Sequence, residues 1–155
     1  MEKYVEYLIA AERKIRTIDH LIYMTYPLIK DKRLLLKIMS EINLIIISII
    51  NAVLQYEYLF KRIELTKNAN VNLNLFFQKC TPKYQINESE IRIIKELLDL
   101  QEKHKRSSME FVKNGKIVIL SENLKTDILT IEKIKEFLLR IKIILKKVQK
   151  VINKI

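Results

Sequence analysis

Five charged or titratable side chains fall close together near the start of the chain: Glu12, Arg13, Arg16, Asp19 and His20. Helical spacing puts Glu12 and Asp19 at the edge of an apolar stripe, with Arg16 four residues from the first and three from the second. Carboxylates beside an apolar surface can have raised pKa values and act as a general acid or base. The alternative is a half-buried ion-pair network that only fixes the packing of the helix. The sequence leaves open whether this cluster is functional or structural.

Two members of the cluster also match a motif of a known family. Arg13 and His20 are separated by six residues, and this spacing resembles the arginine-to-histidine motif of the HEPN ribonuclease superfamily, whose members are small helical bundles with a long second helix. The resemblance implies metal-independent RNA cleavage. His20 would activate the ribose hydroxyl, and Arg13 would stabilise the charge that develops on phosphorus.

The sequence predicts neither a metal nor a cofactor. Metal sites in helical bundles pair carboxylates with a histidine three residues on, and no Glu-x-x-His occurs here. The second histidine, His104, lies in the basic run 103–106 and is expected near a helix end. Because the chain has one glycine, Gly115, it contains no glycine-rich phosphate loop, dinucleotide fingerprint or nucleophile elbow.

Positive charge is concentrated at the end of the chain. The net charge is +11, and after Glu136 the charged residues of the last helix are all basic: Arg140, Lys142, Lys146, Lys147, Lys150 and Lys154. Such a face predicts a contact with a polyanion, either nucleic acid or an anionic lipid surface, that weakens steeply with salt. The alternative is that these lysines offset the helix dipole and keep the surface soluble.

Glycine and proline content decides the fold class. Sheets and tight turns draw on glycine for positive φ, and the chain has one glycine and two prolines in 155 residues. We therefore predict an all-α helical bundle in a single domain, 1–155. Four main helices are expected, joined by short helical or extended crossover segments.

Start and stop signals place these helices. The first runs over 2–26 and is stopped by Pro27. The others are expected from an Asp31 N-cap to about Glu64, from an Asn87–Glu90 capping box to about Lys105, and from Thr130 as N-cap over 131–153. A polar crossover with a short helix fills 67–85. Isoleucines, leucines and a valine at alternating steps of four and three predict a buried seam on the last helix.

The segment 107–124 allows two interpretations. Asn114-Gly115 between two apolar stretches is a hairpin signal. In the other interpretation, which we prefer slightly, Gly115 ends a short helix over 108–114, and an extended apolar segment follows. Strand is expected to be absent or confined to the region around Gly115.

Composition also bears on location. The longest apolar run, Ile42 to Leu54, has thirteen residues and is interrupted by Asn43, Ser48 and Asn51, whereas about twenty are needed to span a bilayer. We predict a buried core helix and no membrane span. No signal peptide is expected from the acidic start of the chain. The single cysteine, Cys80, excludes an internal disulfide and favours a cytoplasmic location.

Leu139 and Ile143 lie opposite the buried seam of the last helix, where the alternatives are a further helix or a second subunit. Together with the apolar second helix they predict self-association, with a two-fold symmetric dimer as the expected form. The function predicted from the sequence is a non-enzymatic helical binding module for a protein partner or a polyanion. The alternatives are the HEPN-like ribonuclease and a purely structural subunit.

Overall fold

The computed structural model describes residues 2–106, 109–113, 116–120 and 126–153. Most of them are helical, and the predicted all-α bundle is confirmed. The elements in chain order are α1 (Lys3–His20), a π-helical turn (Leu21–Thr25), α2 (Tyr26–Ile29), α3 (Lys32–Leu59), α4 (Ala69–Leu75), a second π-helical turn (Phe76–Cys80), α5 (Glu88–Arg106), β1 (Met109–Lys113), β2 (Lys116–Leu120), β3 (Thr126–Leu129) and α6 (Ile131–Ile152).

Helix α3 is the centre of the bundle. It contacts α1, α5 and α6, and its buried residues include Ile38, Ile42 and Ile49, which are fully shielded from solvent. Asp31 caps its start as predicted, because the Asp31 carboxylate accepts the Arg33 N–H at 2.9 Å. The end at Leu59 comes before the predicted end at Glu64. The chain leaves the helix there because Lys61 has a positive φ of 59°.

The prediction that Pro27 stops the first helix is wrong. The helix continues through the π-helical turn into α2 and ends at Ile29, because the next residue, Lys30, has a φ of 52°. In the π-helical turn the Tyr26 N–H bonds to the carbonyl of Leu21, five residues back. Pro27 then falls in the first turn of α2, a position where its missing N–H is tolerated.

Local capping signals place α5 and α6. The Glu90 N–H donates to Asn87 Oδ1 and the Asn87 N–H donates to Glu90 Oε1, both at 2.9 Å, so the predicted capping box is present. Thr130 Oγ1 accepts the Lys133 N–H at 3.2 Å and caps α6 as predicted. These caps satisfy N–H groups that the helices leave unpaired at their first turns.

The segment before α6 is a three-stranded antiparallel sheet in the order β1-β2-β3. The preferred short helix over 108–114 is wrong for its described residues, 109–113, which form a strand paired with β2 from Met109↔Leu120 to Lys113↔Lys116. The hairpin alternative is therefore correct, whereas β3 was not predicted. Ile117 and Ile119 are buried and Val118 is half-buried, because alternate β-branched residues on a strand can join the core. Ser108, Asn114 and Gly115 lie outside the described residues.

Candidate interaction surface

Helix α6 carries two rows of side chains with heptad spacing on opposite faces. The inner row is buried, as predicted: Ile134, Leu138, Ile141, Leu145, Val148 and Ile152. A second row, called the outer seam below, steps by four, three, four, three and four and consists of exposed residues: Glu132, Glu136, Leu139, Ile143, Lys146 and Lys150. A rigid helix thus presents a second face with the spacing that packs against another helix.

The centre of the outer seam is apolar. Leu139 is 59% exposed and Ile143 is 38% exposed, so the described part of the chain leaves both without full cover. The further helix that the sequence allowed as cover for these residues is not found among the described elements. The remaining alternative, a second subunit, stays a prediction.

Helix α1 borders one side of α6 and runs antiparallel to it. Asp19 accepts a hydrogen bond from Lys142 Nζ at 2.7 Å, and Glu12 accepts one from the side-chain amide of Gln149. The residue number rises along α1 while it falls along α6, which fixes the antiparallel direction. Further along the same border, the Lys135 ammonium lies 5.2 Å from the centre of the Tyr23 ring.

Helix α5 borders the other side of α6. Lys147 Nζ donates to Glu90 Oε1 at 2.5 Å and to the Gln85 carbonyl at 2.9 Å. Lys133 forms an ion pair of 2.7 Å with Glu96. Because Glu90 is 1% exposed, Lys147 serves to compensate a buried carboxylate.

The six predicted binding residues of the terminal helix differ in their contacts with the neighbouring helices. Lys142 and Lys147 have intramolecular acidic partners, and Arg140 is half-buried. Lys146 and Lys150 are exposed, and no ion pair within the described ranges involves them. Lys154 lies outside the described residues. Among the five described cations of the predicted row, Lys142 and Lys147 thus hold α6 against its neighbours, whereas Lys146 and Lys150 face solvent.

The charged residues of the cluster on α1 also differ in their exposure and contacts. Arg13, Arg16 and His20 are exposed, whereas the two carboxylates form their hydrogen bonds with α6. The described residues show no ion pair that joins Arg16 to Glu12 or Asp19, and the two carboxylates contact α6 instead. Arg13 and His20 lie two helical turns apart on one exposed face. Among the described residues no group of three or more histidine, cysteine and acidic side chains could hold a metal.

Cavities lined by described residues lie elsewhere in the bundle. An open groove of about 910 Å³ lies between the start of α1 and the end of α3, with Tyr4, Tyr58 and Lys61 in its lining. A smaller cavity of about 280 Å³ lies between α3 and the α4–α5 region. Arg13, Arg16 and His20 line neither of them.

A buried polar cluster, which the sequence analysis missed, joins the end of α3 to the turn after the second π-helical turn. Glu57 is 2% exposed and forms ion pairs with Lys83, at 2.7 Å, and with Arg62. Burial raises the pKa of Glu57, but the ion pairs with Lys83 and Arg62 outweigh it and hold the pKa below its ordinary value. A glutamate within the apolar sequence of α3 was the available signal.

Cys80 and Tyr84 lie beside Glu57. Burial, and secondarily the Glu57 charge, raises the pKa of the Cys80 thiol to about 11. The same two causes raise the pKa of Tyr84. The thiol therefore stays protonated at neutral pH, which makes it a poor nucleophile. The cluster binds two parts of the fold together and offers no activated group.

Exposed apolar side chains also occur at the turn between α1 and α3. Leu28 is 87% exposed, and Tyr23, Met24 and Ile29 are each more than half exposed. This tip, defined by these four residues, is one further exposed apolar surface of the described chain.

By length and composition alone, α3 could cross a membrane. Half of its most apolar 18-residue window is buried inside the bundle. The absence of a membrane span stays a prediction.

Comparisons with known proteins add no relative. The chain matches no family model, and neither the curated proteins nor the solved structures give a significant match.

Proposed function

We propose that this chain is a self-associating helical interaction module, a subunit of an assembly, and that the outer seam of α6 is its contact surface. The observation that carries the proposal is the exposure of Leu139 and Ile143 at the centre of that seam. Contiguous apolar side chains with charged residues around them are typical of protein interaction sites.

The local architecture supports a docking role for α6. The helix is capped by Thr130, anchored by its inner row in the core, and joined to both neighbouring helices by ion pairs. A partner would therefore meet a surface that is already ordered, which lowers the entropic cost of binding.

The charged residues of α1 support catalysis less well. Arg13 and His20 are exposed and line neither described cavity, whereas general acid and base groups act best where water is excluded and a substrate is held. We therefore place the ribonuclease alternative behind the interaction module.

The test compares Leu139→Glu with a matched control, Leu44→Glu, by multi-angle light scattering. Leu44 is also an exposed leucine, 44% accessible, but it lies on α3. The proposal predicts that the wild type and Leu44→Glu are dimers and that Leu139→Glu is a monomer of unchanged helicity. A dimer that tolerates Leu139→Glu as well as Leu44→Glu would contradict the proposal.

Polyanion binding is a second candidate. It is supported by four exposed cations, Arg13 and Arg16 on α1 and Lys146 and Lys150 on α6, which take part in no ion pair within the described residues. The two helices are neighbours, so a phosphate backbone could contact both.

A further inference from the structure

The order of residue types along the outer seam points to its occupant. From Glu132 to Lys150 the seam reads acidic, acidic, apolar, apolar, basic, basic. We infer that the outer seam docks on the outer seam of a second copy, with the two α6 helices antiparallel and a two-fold axis at the level of Ile141. This inference rests on the proposed function and names the partner and the register.

The antiparallel register makes every position of the seam complementary to another. Leu139 meets Ile143 of the second copy, Glu136 meets its Lys146, and Glu132 meets its Lys150. All three pairs are centred on position 141, and the steps of four, three, four, three and four read the same in both directions. Two-fold symmetry repeats each pair, so the contact holds four apolar side chains in its centre and two ion pairs at each end.

Other arrangements lose this complementarity. A parallel pair in register would place Glu136 against Glu136 and Lys146 against Lys146, and like charges directly opposed are destabilising. A phosphate backbone or an anionic lipid surface would be attracted by the two lysines but repelled by the two glutamates. The seam has no net charge in a chain of net charge +11, which suits contact with an identical chain better than contact with a polyanion.

The residues beside the seam reduce the repulsion between two basic chains. Lys142 is paired with Asp19 on the α1 side, and Lys133 and Lys147 are paired with Glu96 and Glu90 on the α5 side. Arg140 and Lys135 are flanking cations for which the described residues provide no ion pair, and Lys135 lies over the Tyr23 ring. Most of the positive charge next to the contact is therefore compensated within each subunit.

Disulfide trapping tests the register. In the antiparallel pair, position 136 of one copy faces position 146 of the other, whereas each position lies ten residues, about 15 Å along the helix, from its own equivalent. A disulfide needs Cα atoms about 4.4 to 6.8 Å apart. We expect Glu136→Cys/Lys146→Cys to form a covalent dimer on mild oxidation. Glu136→Cys alone and Lys146→Cys alone should stay uncrosslinked, and the wild type serves as the control for buried Cys80.

The outcomes separate this inference from the proposed function. Efficient crosslinking of Glu136→Cys alone would show a parallel contact and overturn the register. If the wild type is a dimer but the double cysteine variant does not crosslink, the register is also wrong. In that case, loss of the dimer in Leu28→Ser would place the contact at the tip between α1 and α3. A wild type that is monomeric at all concentrations would refute the proposed function itself.

Charge reversal provides a second, independent readout. Lys146→Glu/Lys150→Glu makes the seam entirely acidic, and Glu132→Lys/Glu136→Lys makes it entirely basic. We expect each variant to dimerise at least about tenfold more weakly than the wild type, because favourable pairs become repulsive. An equimolar mixture of the two should recover wild-type affinity as a heterodimer, and the four substitutions together should preserve the homodimer. Equal affinity in all of these chains would overturn the inference.

Discussion

Lys147 Nζ on α6 lies 2.5 Å from Glu90 Oε1, and the same carboxylate oxygen accepts the Asn87 N–H that closes the capping box of α5. One buried oxygen thus joins the start of α5 to the side of α6. A residue predicted as part of a binding surface is therefore used to hold two helices together, and its partner has a second role as a helix cap.

Removing either partner should destabilise the protein. Glu90→Gln keeps an oxygen for the cap but loses the ion pair, and Lys147→Gln leaves a buried carboxylate with less compensation. Since the Lys147 side chain is 29% exposed, we expect each substitution to lower the free energy of unfolding by about 1 to 3 kcal/mol, at or below the usual range for breaking a buried pair. Urea unfolding of the two single variants and the double variant provides the check. If the loss of unfolding free energy in the double variant equals the sum of the losses in the two single variants, the two side chains do not interact.

Glu57 predicts how stability depends on acid. Its pKa is lower in the folded protein than its ordinary value, so the unfolded chain binds more protons in the range between the two values. Its contribution is fully present above the ordinary carboxylate pKa, about 4.3, and is lost as pH falls through the lower folded value. As pH falls from 7, the free energy of unfolding should decrease less in Glu57→Gln than in the wild type. Glu64→Gln, at an exposed position, is the control. A decrease in unfolding free energy with acid that is the same in Glu57→Gln and in the wild type would contradict the assignment.

Polyanion binding, if it occurs, should depend on the exposed cations and not on the paired ones. Replacing Arg13, Arg16, Lys146 and Lys150 with glutamine should weaken RNA and DNA binding for all sequences alike. It should also flatten the dependence of log K on log salt by about 0.7 per lost contact to a single strand. A control with Lys37 and Arg92 replaced, both exposed on other helices, should bind as the wild type does. Absence of salt-sensitive retention in the wild type would exclude this candidate.

The ribonuclease alternative has its own test. A non-enzymatic module should leave labelled single-stranded and structured RNA intact at high protein concentration without added metal. His20→Ala should then be indistinguishable from the wild type. Metal-independent cleavage that His20→Ala abolishes while RNA binding persists would establish the HEPN-like activity and contradict our account.

Signals within a few residues of one another could be read from the sequence. Thr130 and the Asn87–Glu90 pair reveal helix starts because a cap and its target are close in sequence. The inner row of α6 is visible for a similar reason, since its spacing repeats along one helix. The outer seam was seen only as Leu139 and Ile143, because its charged ends are ordinary surface residues until a partner is considered.

Features that depend on distant residues could not be read in this way. Nothing near Lys147 indicates that its partner is Glu90, and nothing near Glu57 indicates Lys83. The π-helical turn before Pro27 was missed because proline usually marks a helix end. Strand β3 was missed because its four residues, Thr126–Leu129, are too few to show a clear alternation.

Sedimentation velocity of the wild-type chain, over a wide range of protein and salt concentrations, tests the central claim most directly. We predict a monomer–dimer equilibrium that shifts towards monomer as salt rises, because ion pairs at the ends of an exposed seam are screened. A single monomeric species at every concentration and at low salt would contradict self-association through the outer seam.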